Sequence, residues 1–259
     1  MTYPLLNYTS QGEGEPLVIV HGLFGASRNW QSLARQWATR YQVITVDLRN
    51  HGDSFHAEEM NYPVMTDDVV SLLEYLDLPP VNLLGHSMGG KLAMCLSQQA
   101  PHWVNKLVVA DIAPVAYEHD YDELIDPILA LELERISNRK QADELLAVSI
   151  TDQRIRLFLL QNLSFHSGRA VWKLNWPVLK QSMPLITGFV DISDWSIQVP
   201  SLFIRGGLSN YVTDQHWALI QRHFKRSQCD TLAQAGHWLH AEQPTAFFER
   251  VSQFLGNAS

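Results

Sequence analysis

Short apolar runs at residues 17–20, 43–46, 81–84, 107–110 and 202–204, rich in Val, Ile and Leu, constrain this chain more than any other feature. A strand that is apolar on both faces needs cover on both sides, so the runs imply a largely parallel sheet held between helices. The intervening segments supply the helices. Trp30, Leu33, Ala34 and Trp37 fall at i, i+3, i+4 and i+7, as do Val69, Leu72, Leu73 and Leu76, and each set makes one apolar helix face. Phe247, Phe248, Val251, Phe254 and Leu255 repeat the pattern after Pro244, with Gly256 as a stop signal. The predicted fold class is therefore α/β, with a mostly parallel central sheet and helices on both faces.

The alternation breaks after Pro114 and resumes near Pro200. Residues 143–150 and 154–163 read as amphipathic helices, while 169–175 suits an extended segment as well as a helical one. The expected organisation is a core formed by residues 1–114 and 196–259, with a helical cap inserted at 115–195 and laid over the strand ends.

Hydrophobic residues make up 46% of the chain and charged residues 18%, a balance that can bury a large core. A net charge of -8 leaves no basic stripe, so nucleic acid is not an expected partner. The segment Met1-Thr2-Tyr3-Pro4-Leu5-Leu6 lacks the charged start and apolar stretch of a secretory signal. No apolar run approaches the roughly 20 residues that a membrane-spanning helix needs. Cys95 and Cys229 have neither metal-ligand nor disulfide spacing. The expectation is a cytoplasmic protein without stable membrane insertion, metal or cofactor, both cysteines being buried small hydrophobes.

Gly85-His86-Ser87-Met88-Gly89 places a serine in Gly-x-Ser-x-Gly between a buried run and a helix beginning near Met88. A turn that lifts a serine hydroxyl above a sheet strains its backbone, and small residues on both sides are a steric requirement. Taken alone, the motif equally describes a glycine-rich turn capped by serine. His86 is expected to pack behind the serine, and not to act as its base. The first apolar run ends in His21-Gly22-Leu23-Phe24-Gly25, the position of a loop that supplies half an oxyanion hole. The backbone N–H groups of Leu23 and Met88 are the candidate donors, each typically worth about 2.7–4 kcal/mol in a transition state. His21 at that strand end is read as a hydrogen-bonded turn residue.

A serine hydroxyl becomes a useful nucleophile when an imidazole takes its proton. His237, in Ala235-Gly236-His237-Trp238 after the last strand-like run, is the best placed of 11 histidines to do so. His240 is its rival and is read as packing. The acid of such a triad is expected after the run at 202–204, yet the turn there reads Gly206-Gly207-Leu208-Ser209-Asn210-Tyr211. Serine cannot stabilise an imidazolium as a carboxylate does, so the charge must come from another strand end. Asp111, directly after the run at 107–110, is the candidate, with capping of the turn before Pro114 as its structural alternative. Asp214 is the fallback, with helix capping as its alternative role.

These residues resemble those of the α/β-hydrolase superfamily, and most closely the YbfF-type bacterial esterases, over nearly the whole chain. The resemblance rests on the motifs above together with Asp47-Leu48-Arg49-Asn50-His51-Gly52-Asp53-Ser54, Asp111-Ile112-Ala113-Pro114 and Gly206-Gly207-Leu208-Ser209-Asn210-Tyr211-Val212. It implies an acid relocated to Asp111, with Ser209 close to the histidine. It also implies hydrolysis of small carboxylic esters and of acyl thioesters, including acyl-coenzyme A. Arg49, Asn50 and His51 match a loop of structural character, and Lys91 and Arg205 are expected to make surface or inter-element salt contacts rather than to meet an anionic substrate.

The predicted mechanism is a two-step acyl transfer with Ser87 as nucleophile, His237 as base and Asp111 as acid, with a small-molecule ester or thioester as partner. The expected pocket comprises Phe24, Trp238, Phe165, Trp172 and Trp176, although the cap tryptophans serve equally as core. A cofactor-free lyase or C–C bond hydrolase is a second reading, because the same triad can abstract a proton or attack a ketone. A non-catalytic protein that binds an apolar ligand is a third.

Overall fold

The computed structural model describes residues 4–256, so Met1, Thr2 and Tyr3, on which the reading of the N-terminal segment partly rests, lie outside the described residues. Among the described residues nine strands form two sheets: β1 (Tyr8–Gln11), β2 (Glu15–Val20), β3 (Tyr41–Val46), β4 (Val81–His86), β5 (Val104–Ala110), β6 (Leu163–His166), β7 (Arg169–Trp172), β8 (Ser201–Gly206) and β9 (Ser227–Leu232). The large sheet runs β1-β3-β2-β4-β5-β8-β9. All its pairs are parallel except β1 with β3. The apolar runs at 17–20, 43–46, 81–84, 107–110 and 202–204 occupy the five inner strands. β1 carries no such run, because an edge strand with half-exposed residues needs none.

Successive side chains of a strand leave opposite faces, and the inner strands feed two cores. Leu17, Ile19 and Val43 join Trp30, Leu33, Trp37, Phe247 and Val251 on one side. Val18, Val20 and Ile44 join Val69, Leu72, Leu73 and Leu92 on the other. The helix Tyr62–Tyr75 starts where Asn61 accepts from Val64 N at 3.0 Å, with a proline in its first turn. Its Val69, Leu72 and Leu73 are fully buried, and each such side chain contributes about 1.5–3 kcal/mol.

Between β5 and β8 the chain forms the helices Asp122–Leu129, Arg139–Leu146, Gln153–Leu160 and Trp176–Thr187, with the antiparallel pair β6 and β7. Two of these differ from the periodicity in residues 143–163. The first begins at Arg139, because the Asn138 side chain caps Gln141 N, and it ends at Leu146. The second stops at Leu160, and Leu163 already belongs to β6. That hairpin turns through Ser167 and Gly168, both with positive φ. Among the described residues no helix is long and apolar enough to cross a membrane. Cys95 is buried, whereas Cys229 is only half-buried on edge strand β9.

Candidate active site

Five of the candidate residues follow the C-terminal end of a parallel strand. Leu23 follows β2, Ser87 follows β4, Asp111 follows β5, Ser209 follows β8 and His237 follows β9. Parallel strands end on one side of the sheet, about 4.8 Å apart, so residues distant in sequence meet there.

Ser87 joins β4 to the helix Met88–Gln99 with φ 53° and ψ −119°. A β-carbon at Gly85 would stand 2.2 Å from Gly89 O, and one at Gly89 would stand 2.5 Å from both Val20 O and His21 O. The two glycines are required by backbone contact, which is what permits the strained serine between them.

His237 Nε2 lies 3.0 Å from Ser87 Oγ, and its Nδ1 lies 2.9 Å from Asp111 Oδ2. The carboxylate can only accept from Nδ1–H, which leaves the Nε2 lone pair facing the serine hydroxyl. Asp111 is wholly buried, yet its oxygens are well served. Gly206 N donates to Oδ1 at 2.9 Å, and Ser209 Oγ donates to Oδ2. Ser209 therefore supports the carboxylate from the turn after β8, while the charge itself stands at the end of β5. Asp214 is not with them: it opens the helix Asp214–His223 and pairs with Arg205 at 2.7 Å. The cap of that helix is Thr213, whose hydroxyl accepts from His216 N, so the capping role expected of Asp214 belongs to its neighbour.

Several contacts fix the imidazole. The Tyr211 ring stacks on it at 3.9 Å between centroids and 16° between planes. Tyr117 OH, itself accepting from Ala113 N, donates to Tyr211 O at 2.6 Å, and burial holds both phenols well above their ordinary pKa. His86 Nε2 donates to His237 O at 2.8 Å. Burial, reinforced by His240 and His237, keeps His86 far below its ordinary pKa, as suits a neutral donor. His21 and His51 brace the opposite loop, accepting from Leu48 N and Phe24 N respectively. Among the described residues, no turn or loop backbone bond is made by Leu23 N or Met88 N.

Ser87 and His237 open into a cavity of about 550 Å³ that takes in Leu23, Phe24, Phe158 and Trp238. Phe24 and Trp238, two of the expected pocket residues, are among its lining. Phe165, Trp172 and Trp176 do not line it. Trp176 is buried beneath Phe24 at 5.0 Å between centroids, Trp172 packs edge-on against Trp176, and Phe165 packs against the core from β6. A tryptophan this large is most readily accommodated as core, and periodicity does not distinguish that from a pocket wall. Tyr121, Leu124 and Phe158 from the segment after β5 do line the cavity, and only Phe158 carried a prior signal, its place in an amphipathic helix.

Among the described residues Lys91 has no carboxylate partner, and its hydrogen bonds to another element are to main-chain carbonyls. It is buried, donates to Thr187 O at 2.8 Å and Gly188 O at 2.7 Å, and lies 4.9 Å from the Tyr117 ring centroid. Burial lowers its ammonium to about 7. The bonds tie the helix Met88–Gln99 to the end of the helix Trp176–Thr187. Among the described residues no group of three or more His, Cys, Asp or Glu is arranged to hold a metal.

A parallel sheet whose strand ends carry a strained serine, a carboxylate and a histidine is the architecture of the α/β hydrolases. Residues 15–244 match the family described as alpha/beta hydrolase fold, and the chain belongs to that family. It is 37% identical to esterase YbfF of Escherichia coli (strain K12), with 96% of each chain covered. It is 40% identical to the sn-1-specific diacylglycerol lipase ABHD11 of Mus musculus, over 92% of this chain and 80% of that one. A solved structure described as a marine microorganism esterase superposes with a TM-score of 0.93 at 36% identity, covering 96% of this chain and 99% of its own.

Proposed function

We propose that this protein is a serine hydrolase that cleaves carboxylic esters through an acyl-enzyme, with Ser87 as nucleophile, His237 as general base and Asp111 as its acid. The observation that carries the reading is the continuous line from Ser87 Oγ through the imidazole to Asp111 Oδ2, at 3.0 and 2.9 Å, beside a largely apolar cavity. Ser87 passes its proton to His237 Nε2 as Oγ attacks the ester carbonyl, and Leu23 N and Met88 N receive the negative oxygen. The imidazolium then protonates the leaving alcohol. Water, deprotonated by the same nitrogen, releases the acid. Relatives named as an esterase and a diacylglycerol lipase support ester substrates. A thiol leaves by the same route, which brings acyl thioesters within reach of the same residues.

Purified protein is expected to hydrolyse short p-nitrophenyl esters and to be labelled at Ser87 by a fluorophosphonate. Ser87→Ala is expected to lose both, with turnover down by about 10⁴-fold or more. Parent-like turnover by Ser87→Ala refutes the assignment. A parallel series of acyl-coenzyme A thioesters decides how far the activity extends to thiol leaving groups.

A further inference from the structure

His237 stands on a loop, and its usefulness as a base depends on how firmly that loop is held. The Gly236 N–H donates to Glu242 Oε2 at 2.6 Å, and the Trp238 N–H donates to Glu242 Oε1 at 3.3 Å. One carboxylate thus grips the backbone on both sides of His237. Glu242 closes the short helix Leu239–Glu242, and its own N–H returns to Trp238 O at 2.8 Å. Side chain and main chain form a ring around residues 236–242. A β-carbon at Gly236 would stand 3.1 Å from Glu242 Oε1, so glycine leaves the carboxylate its place. His86 holds the loop from the other side through His237 O.

We propose that Glu242 is a positioning residue for the general base, clamping the amides that flank His237 so that its imidazole stays between Ser87 and Asp111. The inference rests on the reading of His237 as the base. Glu242 itself is exposed and borders the cavity, so it contributes through the geometry of the loop and not through a buried core. Both donors are N–H groups and both partners are carboxylate oxygens, whose charge strengthens each bond. Glutamine retains a single acceptor and turns an NH₂ group toward the second amide, so it restores the clamp only in part. A displacement of about 1 Å at a reacting group can cost on the order of 100-fold in rate.

The test compares parent, Glu242→Gln, Glu242→Ala and Ser87→Ala on a p-nitrophenyl ester, and also measures the rate of fluorophosphonate inactivation. We expect kcat to fall by roughly 3–10-fold in Glu242→Gln and roughly 10–100-fold in Glu242→Ala. KM should stay within about twofold, and inactivation should slow in the same order, since it reads attack by Ser87 directly. Parent-like kcat in Glu242→Ala, or a rise in KM with kcat preserved, overturns the clamp. If Glu242→Ala melts early, the isosteric Glu242→Gln decides alone, and parent-like kcat in it overturns the clamp. Loss of turnover in Ser87→Ala beside full turnover in both Glu242 variants defeats only this inference, whereas persistence of turnover in Ser87→Ala defeats the proposed reaction.

Discussion

Ser209 donates its hydroxyl to Asp111 Oδ2, the same oxygen that faces His237 Nδ1. The turn after β8 therefore provides a hydrogen bond, and the end of β5 provides the charge. Replacing the charge changes the imidazole's tautomer and removes the partner of the imidazolium, whereas removing the hydroxyl leaves both in place. Asp111→Asn is expected to lower kcat by about 10⁴-fold, and Ser209→Ala by about 10-fold or less. Steady-state turnover of one ester by both variants checks this, and equal losses contradict the division of labour.

Phe158 reaches the cavity from the helix Gln153–Leu160 and packs against Trp238 at 5.7 Å between centroids. Its removal exposes the wall that an apolar ester group would cover. Phe158→Ala should lower kcat/KM for long-chain esters by roughly 10-fold and alter acetate esters little, because apolar contacts in a pocket are worth about 1–3 kcal/mol. A uniform loss across an acyl and alcohol panel would place Phe158 outside substrate contact.

Burial lowers the imidazoles of His51 and His240 from the ordinary 6.5 to about 3. Below 6.5 the unfolded chain takes up protons that the folded chain refuses, so the stability held above that pH is lost as pH falls toward 3. Each histidine contributes a slope of up to about 1.4 kcal/mol per pH unit. Urea unfolding at pH 7.5, 6.0 and 5.0 should show falling midpoints, and a midpoint that is unchanged or higher at pH 5.0 counts against neutral buried histidines.

Arg49 and Asp68 form a buried pair, with Nε to Oδ2 at 2.5 Å and Nη2 to Oδ1 at 2.7 Å. Burial raises the Asp68 carboxyl even beside the guanidinium. Removing one charge from such a pair is more damaging than losing the pair's net attraction. Asp68→Asn is expected to cost about 3–5 kcal/mol of stability, measured by denaturant unfolding, with kcat preserved in the folded fraction. A loss under 1 kcal/mol would show that water reaches this guanidinium.

What was legible in the sequence was local. Buried strand runs, helix faces, the glycines around Ser87 and the serine standing where an acid is expected each follow from a few neighbouring residues, because backbone sterics and periodicity act over short spans. Contacts between distant segments were not. Trp176 and Phe158 are both aromatic residues of amphipathic segments, yet one lies beneath Phe24 and the other faces the cavity. Lys91 reads as a cation in a salt contact, and the end of the helix Trp176–Thr187 buries it by offering two carbonyls. Tyr211 lies 26 residues before His237 and stacks on it because β8 and β9 are neighbours. The sequence alone determined a parallel sheet and its chemically equipped strand ends. Strand order and the packing of the segment after β5 decided which side chains meet, since those depend on burying surfaces far apart along the chain.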